Sequence, residues 1–123
     1  MPKMDGLEPL QRLNHYRPDS TPLALGALAI DPGTMSATLE GVPLRLTTAE
    51  FMVLEALARS AGRFQSREIL THQALGRRLE PFDRSIDTHI SNIRRKLRLH
   101  PGRGIEIKSW RGYGYMLTIT PRV

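Results

Sequence analysis

No cysteine occurs among the 123 residues, which removes disulfide frameworks and thiolate metal sites from consideration. Long apolar runs are missing too. The longest, Leu23 to Ile30, carries a glycine and falls far short of the roughly 18 residues that a membrane helix needs. The opening residues, MPKMDGLEPLQ, lack the apolar stretch of a secretory signal. Aromatic residues make up only 6%, sparse for a surface that stacks single-stranded bases. His15, His72, His89 and His100 are scattered without ligand spacing, so no metal site is predicted. There is no Gly-x-Ser-x-Gly elbow, and no Gly-Lys-Ser/Thr follows Gly112-Tyr113-Gly114. The sequence therefore predicts neither an enzyme nor a cofactor.

What is present is an ordinary core and an uneven charge. The hydrophobic fraction of 40% suits one globular domain, expected in the cytoplasm. Lys and Arg total 18 against 12 Asp and Glu, a net charge of +6. Residues 1–60 hold 5 basic and 7 acidic side chains, whereas residues 61–123 hold 13 and 5. Within 84–111 the count is 8 basic to 2 acidic. Such clustering suits a polyanionic partner, because grouped cations release the counterions condensed on a phosphate backbone. A solvated basic face would show the same charge, so composition alone leaves both readings open.

Residues 1–22, with Pro2, Pro9, Pro18 and Pro22, read as a linker or a residual segment of a neighbouring module. A domain is expected over 23–121. Leu25–Ile30 reads as one strand, ended by the turn Asp31-Pro32-Gly33. Ser36–Leu39 and Pro43–Leu46 then flank a Glu40-Gly41-Val42 loop, predicting a small antiparallel sheet. Thr47-Thr48-Ala49-Glu50 has the form of a capping box. Behind it Phe51, Leu54, Leu57 and Ala58 recur at helical spacing, up to a stop at Ser60-Ala61-Gly62. Ser66 is placed to cap a second, shorter helix through Ala74 or Leu75, with Ile69 and Leu70 facing inward. A loop, Gly76–Phe82, follows.

The third helix is predicted over Arg84–Leu97 with Asp83 as its cap. Ile86, Ile90, Ile93 and Leu97 fall on one stripe. At 100° per residue, Arg84, Ser85, Thr88, Ser91, Asn92 and Arg95 occupy the opposite side, with no carboxylate among them. A face meant only for water usually mixes acids and bases for i,i+4 pairing. Arg, Asn, Ser and Thr are instead the side chains that hydrogen-bond phosphates and base edges. Asp87 and Arg94 lie on one flank, where Asp87 is expected to hold Arg94 or Arg84. His89 and Lys96 lie on the other flank, and Lys96 suits a structural role or a phosphate contact equally. Ile105–Ser109 and Tyr115–Ile119 close the chain as a hairpin with Trp110 and Arg111 at or near its tip. Three helices followed by such a hairpin form a winged helix. Its third helix fits a major groove, and an arginine on the wing suits the negative potential of a minor groove.

Four segments, LTTAEFMVLEAL, SREIL, DRSIDTHISNIRRKL and SWRGYGY, resemble in order and spacing the effector domain of OmpR/PhoB-type bacterial response regulators. Within that family, LGRRLEPFDRSIDTHISNIRRKL is most similar to the CpxR-like branch. The resemblance covers about residues 24–120. It implies an α+β winged helix-turn-helix, with an N-terminal antiparallel sheet of four strands, three helices and a C-terminal hairpin wing. It also implies a transcription factor that binds tandem direct repeats of double-stranded DNA as a head-to-tail pair. Arg84, Ser85, Thr88, Ser91, Asn92 and Arg95 match the family's DNA-facing helix, and Arg111 matches its minor-groove arginine. The Gly76–Phe82 loop, with Arg77, Arg78 and Glu80, matches the segment that meets RNA polymerase in relatives.

Three positions depart from the pattern. Leu75 stands where many relatives place a phosphate-contacting tryptophan, and Trp110 is bulkier than the usual residue before the wing arginine. Met4-Asp5-Gly6-Leu7-Glu8 resembles the receiver segment that follows a phosphorylated aspartate, without that aspartate. The competing reading is a winged helix that binds RNA or another protein. Base readout by the third helix makes a separable expectation: Asn92→Ala loses about 1–3 kcal/mol of discrimination at one base position. Lys108→Ala, by contrast, weakens binding to every sequence alike. Competition between matched and mismatched duplexes checks both.

Overall fold

The computed structural model describes residues 22–77 and 84–119. Residues 1–21 and 78–83, and with them Arg78, Glu80, Asp83 and the receiver-like segment, lie outside the described residues.

Four short strands open the fold: β1 (Leu23–Leu25), β2 (Leu28–Asp31), β3 (Ser36–Leu39) and β4 (Val42–Leu44). They pair antiparallel in chain order. The single strand expected over Leu25–Ile30 is instead the second half of a hairpin, with Leu25 opposite Leu28. Gly26 causes the break. It sits at φ +57, and a Cβ there would approach the Ile119 side chain to 2.9 Å. The apolar pattern hid the turn, because folding back puts Leu23, Leu25, Leu28 and Ile30 in facing pairs. The next loop is also tighter than expected. Glu40 and Gly41, both at positive φ, join Leu39 directly to Val42, the two-residue geometry that matches strand twist. Leu28, Ile30, Ala37, Leu39 and Leu44 form the buried face.

Helix α1 (Thr48–Arg59) begins at the expected capping box. The Glu50 amide donates to Thr47 Oγ1 at 3.2 Å, and the Thr47 amide donates to Glu50 Oε1 at 3.0 Å. Phe51, Val53, Leu54, Leu57 and Ala58 fill the core below it. Ser66 caps α2 (Arg67–Leu70), which continues through a wider π turn, Thr71–Leu75. Leu70 faces inward as expected, but Ile69 is 42% exposed. The corrected pair is Leu70 and Ala74, both buried and spaced one turn apart.

Helix α3 spans Ser85–Leu99. Its cap position is Arg84 rather than Asp83, with no side-chain cap, and the helix runs two residues past Leu97. Ile86, Ile90 and Ile93 are each at most 1% exposed, worth about 1.5–3 kcal/mol apiece. That burial outweighs an absent N-cap, which costs about 1 kcal/mol. Behind α3, the second sheet has the order β5-β7-β6, formed by β5 (Gln65–Ser66), β6 (Ile105–Trp110) and β7 (Gly114–Ile119). Strand β5 has no sequence signal. It exists because Gly114 lets the backbones close: a Cβ there would fall 1.8 Å from the Gln65 carbonyl oxygen.

Two polar contacts tie these layers together. Buried His100 accepts the Gly102 amide at Nδ1 (2.8 Å), leaving Nε2 3.0 Å from the Val42 carbonyl as the donor. This joins the α3–β6 loop to the first sheet. Glu50, only 4% exposed, also takes Lys96 Nζ of α3 at 2.5 Å. Burial pushes the Glu50 carboxyl up. The Lys96 and Thr47 hydrogen bonds, with the Lys96 and His89 charges, outweigh burial and hold it below the ordinary 4.5. Its ionised form therefore contributes fully above that value, and the contribution fades as pH falls through the lower folded value. Glu50→Gln should cost about 1–3 kcal/mol near neutral pH, less than a wholly buried pair because Lys96 keeps one side in water. The variant should also lose less stability on acidification than the parent. Urea unfolding at about pH 7 and about pH 3 measures both effects.

Candidate nucleic-acid interface

Packing of the Ile86, Ile90 and Ile93 stripe turns the other side of α3 outward. Arg84, Thr88, Ser91 and Arg95 are exposed, while Ser85 and Asn92 are half-buried. Ser85 Oγ accepts from Arg77 Nη2 at 3.0 Å, so Arg77 sits against the start of α3. The helix extends its cationic end to Arg98, exposed one turn beyond Arg94; the expected end at Leu97 left it out.

The basic residues of 84–111 divide into two groups. Arg94, Lys96 and Arg103 are engaged within the fold. Arg94 Nη2 and Nε donate to the Ile107 carbonyl at 2.7 and 3.2 Å, and Lys96 meets Glu50. Arg103 donates to the His100 and Gly102 carbonyls through Nη1, and its amide donates to Glu40 Oε2. Arg84, Arg95, Arg98, Lys108 and Arg111 are exposed. None of these five has an ion pair among the described residues.

Asp87 does not hold Arg94 or Arg84. Its Oδ2 accepts from Arg67 Nη2 at 2.8 Å, and its Oδ1 accepts from the Tyr115 hydroxyl at 2.5 Å. These partners lie 20 and 28 residues away along the chain, beyond the reach of helical spacing. Arg94 instead covers the Tyr115 ring, 5.6 Å from its centroid. Arg67 completes the junction, because its backbone amide donates to the Tyr113 carbonyl at the wing at 3.2 Å. One residue of α2 thus holds both the start of α3 and the wing. Burial, then the Asp87 hydrogen bond and charge, push the Tyr115 phenol up to about 12, with Arg94 and Arg67 opposing.

The wing is a six-residue ladder from Ile105 opposite Ile119 to Trp110 opposite Gly114. Its turn closes with the Tyr113 amide donating to the Trp110 carbonyl at 2.8 Å, which leaves Arg111 exposed at the tip. Trp110 packs on Phe64, with ring centroids 5.3 Å apart, and on Tyr113, at 5.0 Å. Sequence reasoning singled out Trp110 for its bulk but missed Phe64 and Arg67, whose partners are set by tertiary contact.

Among the described residues, no three His, Asp or Glu side chains converge as a metal site. No described helix is long and apolar enough to cross a membrane. A cleft of about 240 Å³ on the first sheet is lined by residues of β1 to β3 and their flanks, with Asp31 its only ionisable group.

A three-helix unit behind a four-stranded sheet, its third helix turned outward and locked to a cationic hairpin, defines the winged helix-turn-helix class. Residues 41–117 match the family described as "Transcriptional regulatory protein, C terminal", and the chain belongs to that family. It is 45% identical over 98 residues to the transcriptional regulatory protein CpxR of Escherichia coli K12, covering 80% of this chain and 42% of that protein. The chain thus spans less than half the length of the curated relatives it matches first. The solved DNA-binding domain of E. coli CpxR superimposes with a TM-score of 0.71 at 44% identity, over 81% of this chain and 98% of that one. The Klebsiella pneumoniae RstA DNA-binding domain, solved in complex with the RstA box, gives 0.67 at 35% identity, over 80% and 97%. The OmpR/PhoB-type, CpxR-like resemblance is borne out.

The Asp87 junction makes a spectroscopic expectation. Stabilisation from the protonated Tyr115 hydroxyl is complete below its ordinary value of 10 and disappears as pH rises through about 12, since a raised value favours the protonated fold. Of the three tyrosines, one should ionise late in an ultraviolet absorbance titration. Tyr115→Phe should abolish that late step and cost about 1–2 kcal/mol, because Asp87 loses a donor.

Proposed function

We propose that this chain is the double-stranded DNA-binding effector domain of a two-component response regulator, a cytoplasmic transcription factor and not an enzyme. One observation carries the reading: from Arg84 to Arg95 the outward side of α3 bears Arg, Ser, Thr and Asn with no carboxylate, and one ion-pair junction joins α3 to a wing with Arg111 at its tip. In this reading α3 enters a major groove, where Thr88, Ser91, Asn92 and Arg95 read base edges. Arg84, Ser85 and Lys108 meet the sugar–phosphate backbone, and Arg111 enters the neighbouring minor groove. Lys96 reaches phosphate only by exchanging its Glu50 partner. The RstA domain solved with its box supports the duplex as ligand.

The finer parts of the proposal rest on the resemblance and on the composition of residues 1–22. The chain would bind tandem direct repeats as a head-to-tail pair, and the loop carrying Arg77, Arg78 and Glu80 would meet RNA polymerase. Residues 1–22 would act as the linker to a neighbouring module, with the DNA-binding domain over 23–121. Selection of duplexes from a random pool at two salt concentrations tests the proposal. Recovery of a repeated motif is expected. Affinity should fall by roughly 10³–10⁵ between about 50 and 200 mM salt if six to ten phosphates are neutralised. Recovery of no motif, or an affinity indifferent to salt, would overturn the reading and favour a protein-interaction module.

A further inference from the structure

The wing carries a feature that base and phosphate contacts do not use. Along β6, Ile107 is buried, whereas Glu106, Lys108, Ser109 and Trp110 are exposed. Trp110 lies opposite Gly114, which also faces Ser66, so the position directly across from the indole carries no side chain. Phe64 and Tyr113 fill that space, at centroid distances of 5.3 and 5.0 Å from Trp110 and 6.4 Å from each other. The ring set is braced but not covered: Trp110 remains 57% and Tyr113 43% exposed. A bulky indole left in water forgoes burial worth about 25 cal/mol per Å². Lys108 and Arg111, close to it in the chain, and Arg63, which precedes Phe64, are all exposed cations.

We propose that Trp110, backed by Phe64 and Tyr113, is a contact residue for duplex DNA that packs on a deoxyribose at the lip of the minor groove entered by Arg111. This rests on the winged-helix reading above. The chemistry of the lip favours it. Sugars present apolar C–H faces between phosphates, so a flat ring with cations on either side of it in the chain is complementary to the sugar and phosphates together. Phe64 and Tyr113 hold the indole from two directions, which suits a ring laid against the backbone rather than a wedge driven between bases. Arg111 and Trp110 then act as a pair, one carrying charge and the other apolar area. The rings keep the guanidinium at a fixed depth.

Trp110 is the only tryptophan in the chain, so its emission reports directly. The full chain is titrated with a duplex that it selects from a random pool, bearing one or two copies of the site, while gel retardation follows binding. Emission should change saturably with the gel midpoint on both duplexes. Trp110→Leu, which keeps an apolar neighbour for Phe64, should bind about five- to tenfold more weakly, the factor for returning one aromatic face to water. Its salt slope should be unchanged, whereas Arg111→Ala should lower the slope by about one. Trp110→Phe should stay within about twofold of the parent, as a stacking rather than hydrogen-bonding contact requires. A ring that only stiffened the hairpin would lower the melting temperature of Trp110→Leu without any response of parent emission to duplex. Unchanged emission in a saturated complex therefore overturns the proposal and leaves the winged-helix reading standing. A change confined to the two-copy duplex also overturns it, because the indole would then touch a neighbouring protomer. A chain that retains no duplex at low salt refutes both readings.

Discussion

The Asp87 carboxylate is the constraint on which the arrangement of helix and wing depends. It lies in the first turn of α3 and accepts from Arg67 of α2 and from the phenol of Tyr115 on the hairpin. The apolar stripe of α3 decides which side faces the core, but hydrophobic contact is not directional and fixes the helix less closely along its axis. A carboxylate held by two donors from two other elements is directional. It sets where the outward residues of α3 point relative to Arg111. The wing gains a second anchor where Arg94 meets the Ile107 carbonyl.

Seen from this junction, the excess of positive charge has two uses. Arg67, Arg94, Lys96 and Arg103 are tied to carboxylates or carbonyls inside the fold. They make α3, the first sheet and the hairpin one body. Arg84, Arg95, Arg98, Lys108 and Arg111 stay exposed and supply the surface potential. The same division explains why net charge alone was ambiguous. A basic stretch that seemed to serve only a polyanion also contains the cations that hold the scaffold.

Much of this was legible in order along the chain. The Thr47–Glu50 box, the α1 and α3 stripes, the carboxylate-free side of α3 and the hairpin around Arg111 all rest on local spacing, and the structure shows each of them. Each difference has its own physical cause. Leu25–Ile30 read as a single strand because folding at Gly26 preserves which leucines face inward. Ile69 was placed inside because a four-residue helix has too few turns to define a side. Strand β5 was missed because a two-residue strand carries no period and exists only where Gly114 admits it.

The amino-acid order by itself determined the helices, the wing hairpin and the sidedness of α3, since these depend on residues close to one another in the chain. Which cations remain free for a ligand was decided only in three dimensions. Lys96 and Arg95 are adjacent in the chain, yet one is bound to Glu50, 46 residues away, and the other is exposed. The partners of Asp87 and the braced, uncovered indole of Trp110 were settled in the same way. Ion pairs and ring contacts depend on distances of a few ångströms, and spacing along a chain does not specify those across separate elements.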